Sequence, residues 1–474
     1  MTCQTWGYPT VRSTLRGRVL NATLTAALSA LSLSGTAAAA HADAAPATSS
    51  SRQPLGKPQT STKAQAGPPG APAITDASGY DCGDDASPTS YQVGIPATFT
   101  LVPAASGGTT AGYLYQLDGA APISLAATGS GTTISVTPAR GASLLDVTAV
   151  AADGSIGDTT RCVFSADLTA PTDPAATTPA RDGDLTGDGI PDLAVVGGQA
   201  GLPSGLWLAR GTADGQLDTH ASDIGAQGTG VDSAGSPANW DGIQIITGHF
   251  NTGAGFNDVL AYNPATGSGA VLYGSGDGSP LLPTSGHEVN VSSTVFTDYS
   301  GNKATSIASG GDLYHTLNGE PSTGRPDLLL IVGGQLWDEP GYPIPGVFDP
   351  VDAALPLGGT NPTGTGDWTG WSITSSLIDG MPALFARNTT TGALYYYTPQ
   401  QLQDLAYGNP VSPLRIADSG YDFAALPVLQ AADLDGDGTP DLRSVSSDGS
   451  STARIFDAAT GTLTPQTPQT LITS

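Results

Sequence analysis

The sequence predicts an all-β protein, and three observations support this fold class. Short runs rich in valine, leucine, threonine and tyrosine are separated by turn residues, and the 474-residue chain contains 63 glycines and 37 prolines. No long segment after residue 45 has the hydrophobic periodicity of a helix. An aspartate-rich loop occurs twice, at 184–192 and 433–441, and a β-rich segment follows it each time. The chain length allows two or three domains.

Residues 1–42 are predicted to be a secretory signal peptide. Three arginines between residues 12 and 18 precede a stretch rich in alanine and leucine, and Ala40-His41-Ala42 fits a small-x-small cleavage site. Polar residues interrupt the stretch, so it suits a cleaved signal better than the alternative, a retained anchor. No second hydrophobic span follows. The expected mature protein therefore has no membrane span and is secreted, either extracellular or associated with the cell wall.

Two segments have the composition of flexible linkers, and the overall charge is strongly acidic. Residues 43–73 and 169–182 are rich in alanine, proline and threonine, which cannot form a buried core. The formal net charge is −26, from 42 acidic and 16 basic residues. Nucleic acids and anionic membranes are bound by clustered lysine and arginine. We therefore expect neither as a partner.

Residues 74–168 are predicted to form a β-sandwich, because β-rich segments alternate with turns at the spacing of that fold. Cys82 opens this unit and Cys162 closes it. Since Cys3 lies within the predicted signal peptide, these are the two cysteines of the mature chain, and we expect them to pair in an oxidising compartment. The strand pattern and length resemble the Ig-like modules of secreted actinobacterial proteins, a resemblance that implies no activity.

Residues 183–474 contain five units, each with a loop, a strand, a turn and a strand that carries an aromatic residue. The loops end at residues 192, 258, 327, 383 and 441. A period of about 60 residues with several strands per unit is typical of a β-propeller. The expected architecture is therefore an Ig-like β-sandwich followed by a β-propeller. Five blades are favoured, and six or seven remain the alternatives if the longer segments contain divergent blades.

The last loop has the pattern of a calcium site. Asp433, Asp435, Asp437 and Asp441 occupy positions 1, 3, 5 and 9, and Gly438 occupies position 6, where the loop must turn sharply. Calcium takes six to eight oxygen ligands, which alternating aspartates in a tight turn supply. Position 12 is not the bidentate glutamate of a helix–loop–helix site, and β-rich residues follow the loop. The alternative is an aspartate-rich turn without metal.

The first loop repeats this pattern, and the units resemble the FG-GAP/VCBS-type repeats of integrin-α-like propellers. The resemblance covers residues 183–474 and implies calcium bound within the blades. The implied ligands are Asp184, Thr186, Asp188, Ile190 and Asp192 in the first loop and Asp433, Asp435, Asp437, Thr439 and Asp441 in the last. The residues at position 7 of each loop, Ile190 and Thr439, would contribute backbone carbonyls.

The three middle units depart from this pattern. In the second, His249 stands at a ligand position, and the loop is one residue too long. The third retains Asp312 and Asp327 on either side of an insertion, and the fourth has Ala383 at position 9. We expect no metal in the fourth unit and leave metal binding open in the second and third.

Sequence motifs favour a protein that is not an enzyme. The chain lacks a Gly-x-Ser-x-Gly nucleophile elbow, a phosphate-binding P-loop and a His-Glu-x-x-His motif. The four histidines of the mature chain are far apart in sequence and have no neighbours suggesting zinc. His249 is interpreted as a degenerate loop ligand, and His220, His287 and His315 as surface loop residues.

The favoured function is a secreted, non-catalytic calcium-binding protein for adhesion or surface recognition, with an extracellular protein or glycan as its partner. One alternative is a lectin-like propeller that stacks sugars on aromatic side chains. The candidates for stacking are Trp207, Trp240, Trp337, Trp368, Trp371 and Tyr395–Tyr397. A hydrolase with an unrecognised carboxylate pair is the third and least favoured hypothesis.

Overall fold

The computed structural model describes residues 67–83, 87–167, 181–232, 235–251, 256–284, 287–351, 354–357 and 360–473. The predicted signal peptide and most of both predicted linkers lie outside the described residues. Strands predominate over helices, so the prediction of an all-β protein is confirmed. In the described part of the chain, no helix has the length and hydrophobicity needed to cross a membrane.

The described residues of the N-terminal unit contain eight strands. The first of them begins at Ala73, the last residue of the range predicted as linker. The eight strands are β1 (Ala73–Thr75), β2 (Tyr91–Gln92), β3 (Ala97–Val102), β4 (Thr110–Leu117), β5 (Ile123–Ala126), β6 (Thr132–Val136), β7 (Ala142–Ala151) and β8 (Ile156–Asp167). One sheet has the order β1-β3-β6 and the other the order β2-β8-β7-β4-β5. Side chains alternate between buried and exposed along β3 and β6, as expected for strands with one face in a core.

The two N-terminal sheets share one hydrophobic core, and a disulfide closes it. Phe99 of β3 packs with Phe164 of β8 at a ring-centroid distance of 4.9 Å. Cys82 and Cys162 form the predicted disulfide, with their Cα atoms 5.8 Å apart. Cys162 is buried in the core. The bond therefore joins the segment after β1 to the middle of β8.

Twenty-one strands follow in the C-terminal region, and most belong to five sheets, named I to V in chain order. Sheet I contains β9 (Leu193–Val196), β10 (Leu206–Ala209) and β11 (His220–Asp223). Sheet II contains β12 (Gln244–Gly248), β13 (Asp258–Asn263), β14 (Ser268–Leu272) and β15 (Glu288–Val291). Sheet III contains β16 (Ser306–Gly311), β17 (Asp327–Val332), β18 (Gln335–Glu339) and β19 (Leu355–Pro356).

Sheet IV contains β20 (Trp371–Ile378), β21 (Met381–Asn388), β22 (Leu394–Tyr397) and β23 (Leu414–Ala417). Sheet V contains β24 (Val428–Ala432), β25 (Asp441–Val445), β26 (Ser450–Asp457) and β27 (Thr462–Pro465), and β28 (Gln469–Thr470) also pairs with β26. In sheets II to V the four main strands are antiparallel and neighbours in sequence are neighbours in the sheet. The last strand, β29 (Ile472–Thr473), instead pairs in parallel with β11 of sheet I.

Each of the five sheets buries both faces, because alternate side chains of one strand enter different cores. On β17, Leu328 and Leu330 pack against residues of sheet II, whereas Leu329 and Ile331 pack against residues of sheet IV. Further cores lie between sheets I and II and between sheets IV and V. A fifth core joins Val445 of sheet V to residues of sheet I. Every sheet therefore packs against two others.

Three short α-helices lie between the strands: α1 (Ser293–Phe296), α2 (Leu313–Asn318) and α3 (Pro399–Ala406). A 3₁₀ turn covers Pro237–Trp240. Helix α3 begins at a capping box in which the Thr398 hydroxyl accepts a hydrogen bond from the Gln401 amide at 3.2 Å. Helix α2 ends at Gly319, which adopts the left-handed conformation with φ of 64°. Helix α2 lies within the insertion predicted for the third unit.

Polar contacts join the N-terminal unit to sheets I and II, one of them partly exposed and the other buried. The Arg161 guanidinium lies 2.7 Å from the Asp223 carboxylate of β11 and 3.1 Å from Asp146 of β7. The buried Arg140 guanidinium donates a hydrogen bond to the Gly278 carbonyl and lies 3.3 Å from Asp118. The Arg161–Asp223 ion pair and the Arg140–Gly278 hydrogen bond therefore link the N-terminal unit to sheets I and II.

We predict that a Cys82→Ala, Cys162→Ala double variant is less stable than the wild type. The bond closes a loop of 80 residues, so losing it should lower the free energy of unfolding by about 4–5 kcal/mol on the chain-entropy estimate. Chemical denaturation of the oxidised wild type and the double variant measures the difference. Reduced wild-type protein should match the double variant, and equal stability of all three would contradict the prediction.

Candidate metal centre

In four of the five C-terminal units, a buried aspartate ends the predicted loop and stands at or just before the start of the strand that follows it. Asp192 precedes β9, while Asp258, Asp327 and Asp441 begin β13, β17 and β25. Each is at most 2% exposed. These residues are position 9 of the loop pattern, which sequence analysis assigned to calcium ligation. Because each aspartate ends a loop and begins or directly precedes a strand, the loop pattern and the β-rich segment are adjacent in the sequence.

In the first and last units this aspartate joins the loop to a later part of the sheet. Asp441 accepts hydrogen bonds from the Leu434 amide at 2.9 Å and from the Phe456 amide of β26 at 2.8 Å. Asp192 accepts from the Leu185 amide at 2.8 Å and, with its other oxygen, from the Gly211 amide beyond β10 at 2.9 Å. One carboxylate oxygen therefore holds the loop, and the other holds the end of the strand that follows the aspartate's own strand.

The second and third units preserve the same bridge although their loops have diverged. Asp258 accepts from the Asn251 amide at 2.6 Å and from the Gly274 amide at 3.0 Å. Asp327 accepts from the Tyr314 amide at 2.8 Å and from the Gly341 amide at 2.9 Å. The position-9 aspartate is therefore a structural residue in its own right. Sequence analysis did not identify this role, although the recurrence of aspartate in degenerate loops was a signal for it.

The last loop brings three carboxylates together. One oxygen each of Asp433, Asp435 and Asp441 lies within 4.8 Å of the other two. Asp433 also accepts hydrogen bonds from the Gly436 amide at 2.8 Å and the Gly438 amide at 3.2 Å. Gly438 has a φ of 84°, which favours glycine at the predicted sharp turn. The cluster offers oxygen donors only, the ligand type that calcium prefers.

The other members of the last loop stabilise the turn, and one cation lies nearby. The Asp437 carboxylate accepts from the Thr439 amide at 2.7 Å. The half-exposed Arg181 guanidinium lies 3.6 Å from Asp433 and offsets part of the negative charge. A single exposed arginine does not neutralise three close carboxylates. The loop therefore has the charge and the donor set for a divalent cation.

The first loop has the same backbone hydrogen bonds but a looser grouping of acids. Asp184 accepts from the Gly187 amide at 2.6 Å and the Gly189 amide at 2.8 Å, matching the bonds of Asp433. Asp188 is exposed and accepts from the Ile190 amide at 2.9 Å. Among the described residues of this loop, no three carboxylates converge as they do in the last loop. Threonine at position 3 supplies a hydroxyl in place of the third acid.

The third unit contains a second cluster, which sequence analysis missed. His315 Nδ1 lies 3.4 Å from Asp312 Oδ1 and 3.6 Å from Asp327 Oδ1. The interpretation of His315 as a surface loop residue was wrong: it lies on helix α2 and is 7% exposed. The insertion folds into a helix that turns His315 inward. The spacing Asp312-x-x-His315, with both side chains on one helical face, was the available signal.

Among the described residues of the second and fourth units there is no such grouping, and the reasons are local. His249 Nδ1 lies 3.0 Å from the Phe256 carbonyl within its own loop. In sheet IV, β20 and β21 are joined by the two-residue turn Asp379-Gly380, whose φ angles are 51° and 80°. Two positive φ angles are typical of a tight hairpin turn. The fourth unit therefore has no loop that could surround an ion.

Burial dominates the electrostatics of the bridging aspartates. Desolvation raises the pKa of Asp192, Asp258 and Asp441 from 3.8 to about 6 in each case, against the opposing effect of their amide hydrogen bonds. Desolvation also raises the pKa of Asp327 to about 7, and the Asp312 carboxylate adds to the effect. The neighbouring acids Asp435 and Asp437 likewise raise the pKa of Asp441. Because burial disfavours the ionised form, a cation beside these groups is stabilising.

The aromatic side chains proposed for sugar stacking are mostly in the protein interior. Four of the tryptophans are each at most 4% exposed and lie in the hydrophobic cores between neighbouring sheets: Trp207, Trp240, Trp368 and Trp371. The Trp240 indole donates to the Gly225 carbonyl at 2.7 Å. Buried rings cannot stack on a sugar from solvent. This placement disfavours the hypothesis that these aromatic side chains stack on sugars.

A cavity of 460 Å³ lies among the first strands of sheets II to V and β9 of sheet I. Its lining includes Gln244, Ile307, Ile373 and Leu429, each from the first strand of a different sheet. A neighbouring cavity of 130 Å³ is lined by the next residues of the same strands together with Asp182. The Asp182 carboxylate accepts a hydrogen bond from the Leu377 amide at 3.0 Å.

Comparison with known proteins leaves the family open. No protein-family model matches the chain, and no curated protein matches it. An auxiliary nutrient binding protein from Bacteroides ovatus has a TM-score of 0.29 and 10% identity, over 83% of this chain and 85% of its own. A rhamnogalacturonan lyase has a TM-score of 0.23 and 14% identity, over 80% of this chain and 83% of its own. Both similarities are too weak to assign a fold or a function.

We predict that Asp258→Ala destabilises the protein although the second loop carries no acidic cluster. The substitution leaves the Asn251 and Gly274 amides without their acceptor, and each buried unsatisfied group costs about 1–3 kcal/mol. The expected loss is about 2–4 kcal/mol in denaturant unfolding. Asp158→Ala, at an exposed aspartate of β8, is the control. Equal stability of the two variants would show that the bridge is not structural.

We also predict that the metal-free protein becomes less stable as the pH rises from about 4 to about 7. An aspartate that ionises at 3.8 when unfolded and at about 6 when folded binds more protons in the folded state across that window. The free energy of unfolding therefore falls with pH. Unfolding in EDTA at several pH values measures the slope, and Asp258→Asn should reduce it. A free energy of unfolding that rises over the same window would refute the assignment.

Proposed function

We propose that the five C-terminal sheets are the blades of a five-bladed β-propeller related to the FG-GAP/VCBS-type repeats, preceded by an Ig-like module. Three observations support the proposal. Each sheet packs against two others, and sheet V packs against sheet I. The first strands of sheets II to V and β9 of sheet I line a common cavity. Strand β29 joins the first sheet, as the closing strand of a propeller would.

We propose further that the last and first loops bind calcium. The observation that carries this proposal is the convergence of Asp433, Asp435 and Asp441 on one point, with only oxygen donors and one exposed arginine nearby. The identical amide bonds of Asp184 and Asp433 support extending the proposal to the first loop. Calcium would neutralise the carboxylates and lock the connection between strands. Its role in this proposal is rigidity rather than chemistry.

The function we propose is recognition of an extracellular protein by a secreted, non-catalytic propeller. The segment 340–351, between β18 and β19, exposes Tyr342, Ile344 and Val347 by 41%, 62% and 40%. The Gly341 amide bonds to Asp327, so this segment lies at the same end of sheet III as the loop preceding β17. Exposed apolar side chains grouped in one segment are typical of a protein contact. The disulfide fits an oxidising, extracellular location.

The non-catalytic assignment rests on how the acids are used. The bridging carboxylates accept backbone hydrogen bonds with both oxygens, which suits structural groups better than general acids or bases. Turnover of polysaccharides or esters in calcium-containing buffer would contradict this assignment. Loss of that turnover on Asp327→Asn would then identify the third unit as the catalytic site.

We predict that calcium raises the melting temperature of the protein and that Asp433→Ala removes most of the rise. The substitution deletes one of three converging carboxylates, so ion binding to the last loop should be lost. Asp184→Ala should remove a smaller part. Thermal melts in EDTA and in millimolar calcium measure the effect, with Asp158→Ala as the control. If calcium does not change the melting temperature, the calcium proposal is wrong.

A further inference from the structure

We propose that the third unit holds a second metal site of a different kind, one that takes zinc or a similar divalent transition-metal ion through Asp312, His315 and Asp327. This site differs from the calcium loops in position, donor set and supporting structure. It does not depend on the calcium proposal, because none of its three residues belongs to either calcium loop.

The first support is the geometry of the donors. One ligand atom each of Asp312, His315 and Asp327 lies within 4.8 Å of the other two. The distances from Nδ1 to Asp312 and Asp327, 3.4 Å and 3.6 Å, are too long for good hydrogen bonds. They match the separation of about 3.4 Å between ligand atoms that a tetrahedral ion with bonds of about 2.1 Å requires. The three atoms therefore surround a space suited to a small ion.

The second support is that buried polar atoms in the cluster make no hydrogen bonds. His315 is 7% exposed, and its Nδ1 has no hydrogen-bond partner while it faces two carboxylates. Asp312 occupies the N-cap position of α2, yet its side chain does not cap the helix, and its Oδ1 is also unpartnered. Buried polar atoms without partners are rare in folded proteins. A bound ion would satisfy both atoms at once.

The third support is a further buried acid, Asp338, on the same face of sheet III as Asp327. Asp338 of β18 is 0% exposed, and neither of its carboxylate oxygens has a hydrogen-bond partner. It pairs with Leu329, two residues along β17 from Asp327, so both acids lie on the same face of sheet III. Among the described residues, no lysine or arginine forms an ion pair with Asp312, Asp327 or Asp338. The interior therefore concentrates carboxyl groups without a cationic partner, and a bound divalent cation would favour their ionised form.

The donor set selects the class of metal. Calcium and magnesium take oxygen ligands, whereas imidazole combined with carboxylates suits zinc and related first-row ions. The Tyr314 and Gly341 amides hold the Asp327 carboxylate in place, as supporting hydrogen bonds do around metal ligands. Asp312 also lines a cavity of 130 Å³ with His249 and Arg325.

The test uses the full-length mature protein, stripped with EDTA and returned to millimolar calcium. Zinc chloride is titrated by calorimetry, and cobalt(II) serves as a spectroscopic probe of tetrahedral coordination. The expected result is one tight zinc site per chain and cobalt absorption bands of tetrahedral intensity. His315→Gln and Asp312→Asn should each abolish tight binding, whereas His220→Gln, at an exposed His–Asp pair, should not change it.

Asp312 is partly exposed, so Asp312→Asn keeps the test valid if His315→Gln fails to fold. Asp433→Ala should lose the calcium-dependent rise in melting temperature but keep the zinc site, which separates the two proposals. Zinc binding that survives both His315→Gln and Asp312→Asn would overturn the proposal. So would the absence of a tight zinc or cobalt site in the wild-type protein.

Discussion

A buried aspartate that accepts backbone amides from two separate segments organises the C-terminal sheets. Burying a carboxylate is costly, and amide donors to both oxygens offset part of this cost. At Asp192, Asp258, Asp327 and Asp441 the donors come from the preceding loop and from the region at or just beyond the end of the next strand in the sheet. Sheet IV has Ala383 at this position. Its strands are joined by a two-residue turn, so there is no loop to hold.

This constraint also explains how structure and metal binding coexist in one loop. The position-9 carboxylate is fixed by the fold, and the position-1 carboxylates of Asp184 and Asp433 are fixed by amides of their own loops. An ion would therefore meet ligands that are already oriented, which reduces the entropy lost on binding. Loops that diverged could lose their other acids while the bridging residue remained, as at Asp258.

Much of the architecture follows from local sequence pattern, and the parts that do not follow depend on long-range packing. Strand and turn residues predict the all-β class and the repeat of loop and strand, because each depends on nearby residues, whereas the disulfide followed from there being two cysteines after the predicted signal peptide. The inward orientation of His315 depends on how an insertion folds against β17 and β18: the spacing Asp312-x-x-His315 places the two side chains on one helical face but does not say which way that face points. One of the two roles of Asp441 could be predicted from the sequence. The spacing of the aspartates predicted a metal ligand, whereas the hydrogen bond from the Phe456 amide depends on how β25 pairs with β26, which the sequence does not give.

The pairing of β29 with β11 has a consequence for folding kinetics. The Gln469 side chain bonds to both the amide and the carbonyl of Leu217, a sequence separation of 252 residues, and Ile472 pairs with His220. Contacts between residues so far apart in sequence form slowly, because the chain loses the entropy of closing a long loop before these contacts stabilise it. Until residues 469–473 have been synthesised, β11 presents an open edge to other chains. Nascent or truncated molecules are therefore exposed to strand exchange and aggregation at this edge.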